Sequence, residues 1–72
     1  MNIVRQPIVI LDELGKLLSQ NDRARCVAEL ADNPNASTAI IRDRLALYGV
    51  GKDVIKQIVT EFEQRRSNAK SS

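Results

Sequence analysis

The chain predicts an all-α fold: a small bundle of about four helices. Three observations carry that expectation. Apolar residues recur at three- and four-residue spacing along most of the sequence, capping residues and prolines punctuate the intervals, and no strand-like alternation follows the first few positions. The 72 residues are expected to form one helical domain over residues 1–66, with 67–72 as a flexible tail. So short a chain buries only about 60% of its unfolded surface, so its own core gives marginal stability. Cys26 is the only cysteine and there is no histidine, which excludes an internal disulfide and a Cys/His zinc site. Self-association is the remaining way to bury more apolar surface, and a homodimer is expected.

The first helix is expected from Ile8 to Ser19, with Ile10, Leu11, Leu14, Leu17 and Leu18 at helical spacing. Pro7 suits the first turn, where a missing N–H costs nothing, and Asp12 and Glu13 are read as favouring the dipole of the helix start. Gly15 weakens this helix by about 1 kcal/mol relative to alanine. The wide stripe Ile10, Leu11, Leu14, Leu17, Leu18 has two readings: it covers the core of the bundle, or it stays partly exposed and forms the dimer interface. Residues 2–6 are read as extended or disordered.

Ser19-Gln20-Asn21-Asp22 breaks the pattern, with Asp22 as the expected cap of a second helix over about Arg23 to Asp32. That helix offers Cys26, Val27 and Leu30 to the core, and Asn33-Pro34-Asn35 ends it. Ser37 or Thr38 then caps a third helix running to about Leu47, whose apolar positions are Ile40, Ile41, Leu45 and Tyr48. Tyr48-Gly49-Val50-Gly51 is a corner, with Gly49 as a left-handed stop and Val50 tucked into the core. The last helix is expected from Lys52 to about Arg66, with Val54, Ile55, Ile58, Val59 and Phe62 facing inward.

Net charge is +2, unevenly placed. Residues 1–36 hold four basic and five acidic groups, and residues 37–72 hold seven basic and four acidic ones. The basic excess therefore falls on the half that contains the corner, which suits an anionic partner such as a phosphate backbone.

From Arg25 to Phe62 the sequence RCVAELADNPNASTAIIRDRLALYGVGKDVIKQIVTEF resembles, at superfamily level, the helix-turn-helix DNA-binding domains. The resemblance rests on a short apolar helix, a polar linker, a bracing helix and the Gly49-Val50 corner. Ile41 and Leu45 facing inward make the corner two or three residues longer than its tight form. The resemblance implies duplex DNA as partner, a role in regulating transcription, and a recognition helix from about Lys52 to Arg66. Its outward residues would be Lys52, Asp53, Lys56, Gln57 and Thr60, with Gln57 matched to adenine, Lys56 to guanine and Lys52 to a phosphate at the helix start. Asp53 would repel phosphates unless it meets cytosine N4. Arg42 and Arg44 on the bracing helix, and Arg65 and Arg66 beyond, would contact phosphates without sequence preference. The same polar face is also what any solvated helix shows. A small helical adaptor or inhibitor that docks on a protein is therefore the alternative.

No enzyme is expected. Cys26 lies on an apolar face with no histidine to activate it, and Asp12 and Glu13 point about 100° apart on a helix, a poor acid–base pair. No glycine-rich phosphate loop or carboxylate metal loop is present, so no cofactor and no metal are expected. Arg5, Pro7 and Asp12-Glu13 interrupt the N-terminal apolar run, and no segment nears the roughly 18 apolar residues a membrane span needs. A leader or a membrane partner is not expected, and a lone thiol fits the cytoplasm.

Overall fold

The computed structural model describes residues 5–16 and 19–71, the last three by their backbone alone. Four helices follow in order: α1 (Pro7–Leu14), α2 (Gln20–Ala31), α3 (Thr38–Leu47) and α4 (Lys52–Ser71). No strand occurs among the described residues. α1 and α4 each pack against both α2 and α3, so the core lies where all four helices face inward.

Pro7 occupies the first turn of α1, as its fixed φ and missing N–H favour. The helix stops much earlier than Ser19: the Gly15 amide closes back on the Leu11 carbonyl at 2.8 Å. Asp12 and Glu13 consequently sit near the C-terminal end of α1, not its start, where the helix dipole disfavours a carboxylate. Both are offset by tertiary partners. Tyr48 donates its hydroxyl to Asp12, and Arg5 pairs with Glu13. The Tyr48 ring reaches across the end of α1 so closely that a Cβ on Gly15 would come within 2.5 Å of it.

Ile10 and Leu11 are fully buried and Leu14 is 5% exposed. These three positions of the expected dimer interface belong instead to the core of the single chain; Leu17 and Leu18 lie outside the described residues. These three are covered because α1 packs on both α2 and α3. Phe62, Leu30, Ile41, Leu45 and Val27 complete the buried centre. Phe62 is the only phenylalanine, and truncating such a residue costs about 3–5 kcal/mol, a large share of what a domain this size has to lose.

α2 is capped by Ser19, not by Asp22: the Ser19 hydroxyl accepts the Asp22 amide at 3.3 Å and donates to the Asp22 carboxylate at 3.0 Å. α3 is capped by Ser37, whose hydroxyl accepts the Ile40 amide at 3.3 Å. Ile41 and Leu45 face inward as expected, but Ile40 turns out to solvent, at 36% exposure. Tyr48 is exposed to the same extent and lies over α1, outside the core. After α3, the Gly49 amide reaches the Ala46 carbonyl at 3.1 Å and the Val50 amide reaches the Leu45 carbonyl at 3.0 Å. This pair of bonds is the Schellman stop, and Gly49 at its centre has φ of 83°. α4 continues through Ser71 in place of the expected tail from 67.

A clamp outside the periodic pattern ties α1 to α2. Arg5 forks onto Glu29, with Nε and one terminal nitrogen each 2.6 Å from a carboxylate oxygen, and its other nitrogen meets Glu13. Asn33, 2% exposed, donates to the Arg5 carbonyl at 2.6 Å and accepts the Asn35 amide at 2.9 Å. The arginine holds Glu13 and Glu29 below the usual carboxylate range, chiefly through these hydrogen bonds.

Two outcomes follow for stability. Gly49→Ala should cost about 1 kcal/mol in urea unfolding, because the site is sterically open and only its left-handed backbone resists a side chain; an unchanged midpoint would contradict this. Depressed carboxylates stabilise the fold above their ordinary value of 4.5, and that contribution is lost as pH falls through their lower folded values. Arg5→Met should therefore melt below the parent at neutral pH, with the gap closing on acidification through that range. A gap that ignores pH would remove the clamp from the account.

Candidate nucleic-acid interface

The corner sets α4 against α3 so that a shallow groove runs between them. Ile55 and Val59 lie along it from α4 and Ala46 from α3. Lys52, Lys56 and Thr60 line the same groove at four-residue steps along α4, and Arg42 lines it from α3. Asp43 and Glu63 line it as well, so three cations are set against two carboxylates. Lys52 is the first residue of α4, and Gly51 before it has no side chain to cap the opening amides.

Three other cations of the chain are held in ion pairs. Arg5, Arg25 and Arg65 pair with Glu13 and Glu29, Asp22, and Glu61 respectively. Among the described residues, no carboxylate comes within 4.0 Å of Arg42, Lys52 or Lys56. All three are exposed. A solvated cation without a local partner keeps its full charge available to an incoming anion.

The other expected contacts divide. Gln57 and Thr60 are exposed and share a second hollow with Lys56, which places them on the outward face of α4. Asp53 is exposed in the first turn of α4. Arg44 is separated from this set. It lines a hollow on the opposite flank of α3, beside Pro7, Ile8 and Ile40, and reaches the Tyr48 hydroxyl. The reason is helical geometry: Arg42 and Arg44 stand about 200° apart around α3. The Tyr48 phenol is pushed up, first by its bond to Asp12.

Arg66 also leaves the list of phosphate contacts. Its guanidinium turns back to the end of α2, donating to the Ala31 carbonyl at 3.3 Å and the Asn33 carbonyl at 2.6 Å. It lies 4.5 Å from the centroid of the Phe62 ring. A cation there satisfies carbonyls that the helix leaves open and complements the dipole. Spacing gave no hint of this role, since a long side chain reaches a neighbouring element that periodicity does not locate.

Cys26 is fully buried, with its thiol 3.8 Å from Glu13. Burial first, and then the charge of Glu13, push the thiol up, so a reactive thiolate is disfavoured. No helix among the described residues is long and apolar enough to cross a membrane. Comparison with protein-family models, with curated proteins and with solved structures finds no match. The functional reading therefore rests on residues and geometry.

Arg66→Ala should lower stability by about 1–2 kcal/mol in urea unfolding, since it leaves charge-assisted hydrogen bonds unmade. It should leave the affinity for any anion bound in the α3–α4 groove unchanged. Unaltered stability would show that its carbonyl contacts contribute nothing.

Proposed function

We propose that this chain is a small DNA-binding protein that regulates transcription. In this reading α3 braces, α4 enters the major groove of duplex DNA, and two copies of the chain act together in the cytoplasm. No catalytic step is part of it. The observation that carries the reading is the set of three cations without ion-pair partners, Arg42, Lys52 and Lys56, around one groove beside an exposed helix face.

The division of labour follows from chemistry. Arg42 and Lys52, with the open amides at the start of α4, hold phosphates and fix the register of the helix on the duplex. Lys56, Gln57 and Thr60 offer donors and acceptors to base edges, with Gln57 suited to the paired donor and acceptor of adenine. Asp53 disfavours a phosphate next to it and suits a cytosine amino group, so it acts through selection more than attraction. Asp43 and Glu63 leave the groove only modestly positive, which makes a single copy a weak binder. Two linked copies double the contacts and raise the effective affinity without any new chemistry.

A salt series tests this directly. Neutralising about three phosphates per chain gives a slope of log affinity against log salt near −3, doubled for a pair. Lys52→Ala and Lys56→Ala should each flatten the slope by about 1, while Lys16→Ala, which does not line the groove, should not. No binding to duplex DNA at low salt would end the DNA reading in favour of a protein-binding adaptor.

A further inference from the structure

Among the described residues, the large apolar side chains left exposed are Ile8, Val9, Ile40, Leu47 and Tyr48. Ile8 and Ile40 line the hollow between α1 and α3, together with Asp43 and Arg44. Leu47, at 72% exposure, follows Ile40 by seven residues and so extends the same stripe of α3 by two turns. The stripe reads Ile40-x-x-Asp43-Arg44-x-x-Leu47, with apolar ends and opposite charges side by side at its centre. It is self-complementary about its midpoint.

We infer that this face of α3 pairs with the same face of a second copy of the chain, antiparallel across a two-fold axis between Asp43 and Arg44. In that register Ile40 meets Leu47 of the second copy, and Asp43 meets Arg44 of the second copy, each contact occurring twice as a two-fold requires. A parallel register would instead set Asp43 against Asp43. The charges are available: among the described residues neither Asp43 nor Arg44 has an ion-pair partner within 4.0 Å, and Arg44, which reaches Tyr48, keeps donors to spare. Ile8 on α1 lies beside the seam and is covered with it. Asp43 borders both the seam and the groove, whereas Arg42, Ala46, Lys52 and Lys56 line the groove alone and stay open in the pair. This surface replaces the α1 stripe as the site of pairing. It rests on the reading that two copies act together, and not on what the groove binds.

The test is the mass of the full chain in solution, by light scattering and sedimentation over a concentration series, with circular dichroism as the check on folding. The parent should approach twice the mass of one chain. Asp43→Arg, at an exposed position, and Arg44→Asp, at a half-buried one, should each weaken pairing about tenfold or more, because each sets like charges together twice. The double exchange D43R/R44D should restore it, and an equimolar mixture of the two single variants should pair with each other better than either does alone. A single-chain mass at the highest concentration overturns the inference and the pairing of copies together. A dimer that none of these variants moves overturns the α3 face alone and leaves pairing to another surface.

Discussion

The left-handed turn at Gly49 is the constraint on which the rest of the architecture depends. It lets the last carbonyls of α3 close on the amides of Gly49 and Val50, which ends the helix within one residue. It also returns the chain so that Val50, Val54 and Ile55 pack against the core and Ile58, Val59 and Phe62 enter it. Once those positions face inward, the four-residue rise fixes where Lys52, Lys56 and Thr60 stand. The groove between α3 and α4, and the charge along it, are consequences of how one residue ends a helix.

The remainder of the molecule holds α1 and α2 in place with polar chemistry at the margins of a small core. Arg5 spans Glu13 and Glu29, Asn33 fastens the backbone of Arg5, and Arg66 closes the end of α2 from α4. These contacts join segments far apart in sequence. Their carboxylates are about a third exposed, so solvent screening keeps each ion pair modest. Their combined effect is to select one arrangement of the four helices. The cations engaged in this way are unavailable to a partner.

Much of the fold was legible in the sequence because hydrophobic periodicity reports a buried stripe directly. The inward set of the last helix, the Ser37 cap and the glycine stop all follow from local rules that tertiary context did not override. The first helix was read too long because Leu17 and Leu18 continue its period, although Gly15 and the close approach of Tyr48 end it. Periodicity also cannot say which of two apolar faces finds a cover. Ile10, Leu11 and Leu14 are enclosed, whereas Ile8, Ile40 and Leu47 are left outside. Within the candidate site, Lys52, Lys56, Gln57 and Thr60 were legible from the outward face of one helix. Arg44 stands apart from Arg42 by the turn of α3 itself, whereas the place of Arg66 depends on a neighbouring element, which spacing along a single helix does not contain.

The most direct measurement is residue-by-residue backbone NMR during titration with a short duplex at low salt. Shift changes should concentrate at Arg42, Lys52, Lys56, Gln57 and Thr60, and leave Arg5, Glu29 and Asn33 still. Changes confined to the flank of α3 that carries Ile40 and Leu47, or no changes at all, would contradict the account.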